Sequence, residues 1–326
     1  MSALSIRYLK ARNRSTTGWT RAGVVAAVDE RPLLMIWIGV VLFSIGPVMV
    51  AGSTTSGGVL SFWRLWIGAV LLGALTVWRR RTSGIRVSRR GWGWAAAAGL
   101  AFGIHQLFFM IAVKATSVVD VALMQLLQPV LVGVLAFLAF GERFGIAFRL
   151  WSMVAVAGGA IVILAGTTGP EGNPLGMVLA VANIVFYALY FVWSKQAMTH
   201  MDALPFLLGV AVFAGLAASV FVAVTGAPVS SIGTRDLLIA AGIAVAPGSL
   251  GHFVTTHALT RVPANVPPVM QLAIPFLSGG LAWLLLGQGF SLMHVVGGLV
   301  TLVGVVGALL SPAGRQVPDP RVAGTD

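Results

Sequence analysis

Long apolar runs separated by short polar segments make up most of the chain. A helix needs about 20 apolar residues to cross the hydrocarbon core of a bilayer. Ten runs approach that length. They lie near residues 33–51, 57–78, 92–113, 118–140, 147–166, 174–194, 203–224, 237–258, 265–286 and 290–311. The pattern predicts an all-α integral membrane protein with ten transmembrane helices.

The second half of the chain repeats the first at a constant spacing. Pro129 corresponds to Pro275 because 275 − 129 = 146, and Gly141 corresponds to Gly287 because 287 − 141 = 146. Long repeats within an apolar chain are typical of secondary transporters, in which two related halves build one site between them. Since five spans are an odd number, the second repeat must enter the membrane in the opposite sense. We therefore predict two inverted five-helix repeats.

Composition and charge support a membrane protein with a defined orientation. Hydrophobic residues make up 58% of the 326 residues, charged residues 9%, and the mean hydropathy is +0.94. The net charge of +12 comes from basic residues in short segments between apolar runs, so we interpret it as a topology signal rather than as a nucleic-acid surface. Placing both termini in the cytoplasm puts most Lys and Arg residues inside, as expected for the cell membrane.

These patterns divide the chain into four parts. The predicted parts are a basic cytoplasmic tail at 1–32, a first five-helix repeat at 33–168, a second at 173–311 and a cytoplasmic tail at 312–326. The chain has no cysteine, which excludes disulfides, thiolate nucleophiles and Cys-based metal sites.

The ordering of these motifs resembles the drug/metabolite transporter superfamily, EamA type. Each half has a span with a central proline, Pro129 and Pro275, and a closing glycine, which Glu142 follows in the first half. Arg64-Leu65 also resembles the family's basic residue followed by a large apolar one. The second half departs from the pattern, because Gln288 replaces the glutamate. The resemblance implies ten helices and small-molecule transport, usually the export of metabolites such as amino acids.

Glutamines near the two central prolines are candidates for the substrate site. A proline within a helix removes the hydrogen bond to the carbonyl four residues back, which belongs to Gln125 before Pro129 and to Gln271 before Pro275. Gln128 adds a second amide beside the first proline. Glutamine supplies both donors and an acceptor. The alternative is that these amides only hold helices together.

Arg64 is the one basic residue predicted within a span, and a lone charge at that depth is costly. It could contact a carboxylate on the substrate, extend towards the interface, or pair with Asp120 at the start of the fourth span. Lys114 is a second candidate partner for Asp120. Asp120 is also our candidate for coupling transport to a proton gradient.

Other polar residues in the spans complete the set of candidates. His105 and His252 lie in repeat-related stretches and are either hydrogen-bonded core residues or proton carriers. Asn183 and Tyr187 lie one helical turn apart in the sixth span, where they could line a cavity or pack. Glu142 could gate the cytoplasmic mouth or cap its helix.

The sequence thus favours a secondary active transporter of a small polar or amphipathic metabolite, amino-acid-like or related, that exports it by alternating access. A lipid-translocating or scaffold protein is the alternative.

An intramembrane enzyme would need a nucleophile or a metal-ligand group at depth, and neither is found, so we expect no enzymatic activity, no metal and no cofactor. The expected partners are the solute and the bilayer, with no nucleic acid. The oligomeric state stays open, and a monomer is compatible with the sequence.

Overall fold

The computed structural model describes residues 31–82, 84–140, 145–168, 173–259 and 270–311, and all regular secondary structure in these ranges is helical. Twelve α-helices have described bounds. They are α1 (Pro32–Gly52), α2 (Gly57–Thr82), α3 (Arg89–Ala115), α4 (Val118–Gln125), α5 (Gln128–Phe140), α6 (Ile146–Thr168), α7 (Pro174–Met198), α8 (Ala203–Thr225), α9 (Thr234–Ile243), α10 (His252–Leu259), α11 (Ile274–Leu286) and α12 (Leu292–Leu310). A 3-10 turn (Val229–Ser231) precedes α9, and a π-helix (Ala244–Gly251) joins α9 to α10.

The helices have the length and surface of membrane spans. Within the described ranges, nine helical stretches are long and apolar enough to cross a bilayer, and α11 is a shorter apolar helix. It forms the end of the predicted ninth span, whose first residues lie outside the described part. Large apolar side chains face outwards, such as Val70 (70% exposed) and Leu292 (78% exposed). An apolar surface of this kind fits contact with lipid.

The helix bounds repeat with the same spacing as the sequence. Helix α2 begins at residue 57 and α8 at 203 = 57 + 146; α5 begins at 128 and α11 at 274 = 128 + 146. Likewise α6 begins at 146 and α12 at 292 = 146 + 146. The duplication therefore extends from residue identities to the positions at which helices begin.

The central prolines lie in the first turn of a new helix, so the fourth span, Val118–Leu135, consists of two helices joined by a turn rather than one continuous helix. Helix α4 ends at Gln125, a turn follows at Leu126–Leu127, and Pro129 is the second residue of α5. In the second repeat Leu272 and Ala273 form the matching turn before Pro275 in α11. Proline has no N–H to lose in a first helical turn, so a new helix accommodates it without a missing bond.

The predicted eighth span, 237–258, also differs from a regular α-helix. Its centre is the π-helix Ala244–Gly251, which contains Pro247. The Ser249 hydroxyl donates to the Ala244 carbonyl, five residues back, over 2.8 Å. A proline removes one backbone donor and displaces the preceding turn, and π-helical stretches often accompany functional sites.

Glycines permit a close helix crossing between α6 and α12. A Cβ atom on Gly158 would overlap the backbone of Thr301, and one on Gly304 would overlap the backbone of Ala155. Small residues at helical spacing allow such close approach in membranes. Elsewhere α3 packs against α7, and α8 packs against α2 and α3.

Candidate functional site

A cavity of about 430 Å³ lies inside the bundle and is lined by both repeats. Seven of the eight predicted substrate contacts line it: Arg64, His105, Gln125, Gln128, Tyr187, His252 and Gln271. Cavities of this size suit small organic ligands. The structure thus brings these residues together, and their contact with a substrate stays a prediction.

The glutamines reach the cavity from the two helix breaks. Gln125 is the last residue of α4 and Gln128 the first of α5, so both flank the turn at Leu126–Leu127. Gln271 lies just before the equivalent turn in the second repeat. All three side chains are half-buried. A helix break of this kind is tolerated at membrane depth where it lines protein or a wet cavity, so the breaks place polar groups on the cavity wall.

Aromatic rings from both repeats form a continuous wall. The Phe102 ring lies 4.8 Å from Tyr190 and 6.4 Å from His252, and the Tyr187 ring lies 4.8 Å from His105, centroid to centroid. Such separations are typical of attractive ring pairs. Phe43 in α1 extends the wall by an edge contact of 5.0 Å with His252. A planar or apolar group can lie against this surface.

Arg64 is buried, with 7% of its surface exposed, and lines the cavity. Its Cζ lies 5.7 Å from the centroid of the Phe102 ring, a distance typical of a cation–π contact. Its Nη1 is buried without a hydrogen-bond partner. Pairing with Asp120, one of the alternatives from the sequence, is wrong because the carboxylate of Asp120 is bound elsewhere.

Asp120 forms a largely buried hydrogen bond with a residue that the sequence analysis missed. Its Oδ1 lies 2.8 Å from Nε2 of His294 at the start of α12. Its Oδ2 accepts a hydrogen bond from the Ser117 hydroxyl at 2.7 Å, which completes the cap of α4. His294 Nδ1 in turn accepts from the Ser291 backbone N–H at 3.0 Å. The sequence offered one signal for His294: Ser291 lies three residues before it at the start of the last span, and this Ser-x-x-His spacing resembles a capping box.

Asn183 lies behind the cavity wall rather than on it. It is completely buried in α7, and its backbone carbonyl accepts from His105 Nδ1 at 3.1 Å. The proton of a neutral His105 is therefore on Nδ1, which leaves Nε2 as an acceptor. The Asn183 Oδ1 has no hydrogen-bond partner. Asn183 thus orients His105, which does line the cavity.

Hydrogen bonds connect four segments of the chain at one end of the bundle. We call this end the closed end; it comprises residues 52–57, 115–120, 229–236 and 287–294. Asp236 is 3% exposed and accepts from the Thr54 hydroxyl at 2.7 Å and from the Thr55 N–H at 2.7 Å. Gln288 Oε1 accepts from the Val118 N–H at 2.9 Å. The second repeat thus uses a neutral side chain as an acceptor where the first has Glu142, which lies outside the described residues.

Lys114 also belongs to the closed end. Its Nζ donates to the Ser53 carbonyl, so the pairing with Asp120 that the sequence suggested is wrong. The cavity extends the other way, to Lys195, Met198 and Ala203. Among the described residues, most hydrogen bonds between distant segments lie at the closed end, and the cavity lining continues towards the opposite end.

Sequence reasoning missed several residues of the cavity wall. Phe43, Pro47, Phe102 and Thr255 all line it. The Thr255 hydroxyl is buried without a partner. Aromatic residues are common throughout the chain, so only the helix packing distinguishes wall residues from lipid-facing ones. The described residues contain no group of His, Asp or Glu side chains arranged to hold a metal ion.

Comparison with known proteins agrees with the repeat and the fold. Residues 30–165 and 174–310 each match the model of the EamA-like transporter family. The chain is 22% identical to the uncharacterized transporter YdfC of Bacillus subtilis (strain 168) over 63% of this chain and 67% of that protein. It is also 22% identical to the uncharacterized transporter YetK of the same organism, over 66% of each chain. A crystal structure that is 19% identical aligns with a TM-score of 0.58 and covers 87% of this chain and 99% of that one.

Proposed function

Because the chain belongs to the EamA-like transporter family, we propose that it exports a small polar or amphipathic metabolite, amino-acid-like or related, by secondary active transport. The observation that carries this proposal is the cavity of about 430 Å³, which both repeats line. A site between two repeats suits alternating access, in which one repeat moves against the other around a bound solute.

We further propose ten transmembrane helices in two inverted repeats, with both termini in the cytoplasm of a cell-membrane protein. The support is the spacing of the helix starts and the basic cluster at the end of α2, Arg79 to Arg81. Lys and Arg concentrate on the cytoplasmic side of membrane proteins. In this orientation the closed end faces outwards, and the cavity extends towards the cytoplasm.

This orientation assigns a role to each end. The hydrogen bonds of Asp120, Asp236 and Gln288 would keep a bound solute from leaving on the outer side of the membrane until the repeats rearrange. If a proton gradient drives transport, we propose Asp120 as the carrier, with the histidines of the cavity wall, His105 and His252, as the alternatives.

A solute-uptake screen in inverted membrane vesicles tests the proposed function. Vesicles with the protein should accumulate at least one small metabolite faster than vesicles from cells that lack it, and a pH gradient should change the rate if protons are coupled. Flipping of a labelled lipid, together with no solute uptake across the panel, would instead support the lipid-translocating alternative.

Topology can be tested by cysteine labelling, because the native chain has no cysteine. Gly289→Cys at the closed end, where an added Cβ meets nothing within 4 Å, should react with an impermeant maleimide in intact cells. Arg86→Cys, at a side chain that is 65% exposed, should react only after the cells are opened. Labelling of Arg86→Cys in intact cells would contradict the orientation.

A further inference from the structure

We propose that the cavity recognises an organic monoanion, specifically a carboxylate on an aromatic or similarly apolar body, and that Arg64 is its counter-ion. This inference rests on the proposed transport function and narrows its substrate, from amino-acid-like and related metabolites to related acids that lack an ammonium group. It depends on three observations made on the described residues: a buried cation without an acidic partner, a cavity lining without Asp or Glu, and a wall of aromatic rings.

Arg64 is a buried cation for which the described part of the chain supplies no acidic partner. The acidic residues described there are Asp120, Asp202 and Asp236, and each is bound elsewhere: to His294, Arg86 and Thr54, respectively. The Nη1 of Arg64 is buried without a partner. Burial of a charge is costly unless an opposite charge or hydrogen bonds compensate it. A guanidinium offers planar, paired N–H donors that match a carboxylate, so a carboxylate ligand would supply the acidic partner that the described part of the chain lacks.

The position of Arg64 leaves its guanidinium open to a ligand. Helix α2 places it against the π-helix, where a Cβ atom added to Gly248 would lie 3.4 Å from Nη2. The same Cβ atom would lie 2.8 Å from the Ile243 carbonyl oxygen, so the π-helix packs closely against the charged group at this position. Arg64 borders both the main cavity and a smaller one of about 50 Å³ next to the π-helix. The guanidinium thus lies at an edge of the cavity where a ligand oxygen can approach.

The remaining charged and titratable groups on the wall favour an anion over a zwitterion or a cation. Besides Arg64, the described lining residues with a titratable nitrogen are Lys195, His105 and His252. Among the described lining residues there is no Asp or Glu. An ammonium group in this cavity would lose its hydration without gaining a counter-ion, which is a cost against the wrong ligand. The described lining is therefore expected to favour an anion over a cation.

The rest of the wall suits an apolar, preferably aromatic, body. Phe102 contacts both the guanidinium of Arg64 and the ring of Tyr190, so a ring bound beside the carboxylate would lie against aromatic surface. The amides of Gln125 and Gln271 are on the same wall and can bond the second carboxylate oxygen or a ring substituent. The volume of the cavity accommodates a ligand with one ring and a short chain.

Three probes with the same phenyl group and two-carbon chain separate the charge classes: 3-phenylpropionate, phenylalanine and phenethylamine. They are, respectively, an anion, a zwitterion and a cation. Purified protein in nanodiscs should bind radiolabelled 3-phenylpropionate saturably. Phenylalanine should compete about tenfold more weakly, and phenethylamine should not compete, because hydrogen bonds to a charged group change affinity by about tenfold or more.

Matched variants test the role of Arg64. Arg64→Gln should weaken 3-phenylpropionate binding by about tenfold or more, and Arg64→Lys, which keeps the charge but not the paired donors, should lie between it and the wild type. Gel filtration and thermal unfolding show whether each variant is folded. The ranking of the probes on the wild-type protein does not depend on any variant, so the inference is testable even if Arg64→Gln does not fold.

The outcomes separate this inference from the transport proposal. Equal binding of phenethylamine and 3-phenylpropionate, unchanged binding in a folded Arg64→Gln, or no binding of any probe overturns the anion site. Phenethylamine that binds and is also carried across proteoliposomes would overturn the anion site but leave the transporter in place. A solute screen in inverted vesicles without any transported compound would overturn the transport function itself, whatever the probes do.

Discussion

The closed end and the cavity differ in whether their buried polar groups have hydrogen-bond partners. At the closed end, the carboxylates of Asp120 and Asp236 have hydrogen-bonded partners that belong to other segments of the chain. In the cavity, Arg64 and Thr255 retain buried polar atoms without a partner. Buried polar groups in proteins are almost always bonded, so unpaired ones on a cavity wall point to a ligand, whereas the paired ones explain how segments of the chain are held together.

This difference predicts different consequences of mutation. Removing a side chain at the closed end should lower stability, because donors in other segments are left buried and unbonded. Removing a polar group from the cavity should change ligand affinity and leave stability nearly unchanged. Each of the following predictions measures both quantities.

The largest effect on stability should come from Asp236→Ala. The substitution leaves the N–H groups of Thr54 and Thr55 and the Thr54 hydroxyl without their acceptor. A loss of that kind costs about 3 kcal/mol for a buried charged acceptor. Thermal unfolding of the purified protein should show a clear drop in the midpoint, with a lower yield of folded protein.

Asp202→Ala is the matched control for Asp236→Ala. The Asp202 carboxylate also accepts from a backbone N–H, that of Arg86, at 2.8 Å, but its side chain is 46% exposed. Water can replace the lost acceptor there, so the midpoint should fall much less. Equal decreases in the unfolding midpoint for the two variants would show that the burial of Asp236 does not determine the loss of stability.

The pair of Asp120 and His294 should show a measurable coupling. Their side chains are 8% and 12% exposed and lie 2.8 Å apart. Asp120→Asn, His294→Gln and the double variant form a double-mutant cycle, and we expect a coupling of about 1.5 kcal/mol because one hydrogen bond between largely buried, potentially charged groups is lost. Additive changes in unfolding free energy would mean that the pair contributes nothing beyond its separate contacts.

The sequence predicted the parts of this architecture that depend on local pattern or on the duplication. Apolar runs predicted the spans, and the 146-residue spacing predicted where the second repeat places its helices, as the starts of α5 and α11 show. Gln125, Gln128 and Gln271 were found beside the cavity because their prolines interrupt the helices at equivalent positions.

Pairings between distant segments could not be read from the chain. His294 lies 174 residues from Asp120, and no pattern within either helix indicates that their starts meet. Similarly, the sequence analysis predicted the eighth span without the π-helix that forms its centre and contains Pro247. The partners of buried charges therefore depend on the three-dimensional arrangement, and this is why the predicted pairing of Arg64 was wrong.

The smallest effect on stability is expected from replacing a cavity glutamine by leucine. The same replacement at the closed end gives the closest test of the difference between the two regions. Gln271→Leu removes an amide from the cavity wall, where no hydrogen bond of its side chain to the described chain is observed. One side-chain hydrogen bond within a membrane protein contributes about 0.6 kcal/mol, so the free energy of unfolding should change by no more than that amount. Substrate affinity should fall severalfold. Gln125→Leu, at the equivalent position of the first repeat, should have a similar but smaller effect.

Gln288→Leu is the control for this test, because its Oε1 accepts from the Val118 N–H at the closed end. It should lower the unfolding midpoint more than Gln271→Leu, since the Val118 donor is left without its acceptor, and it should leave affinity for a solute bound in the cavity unchanged. If Gln271→Leu instead keeps full affinity, or loses activity only through loss of folded protein, then Gln271 is structural. In that case the contrast between bonded groups at the closed end and ligand-binding groups in the cavity would not extend to the glutamines, and Arg64 with the aromatic wall would have to form the site without them.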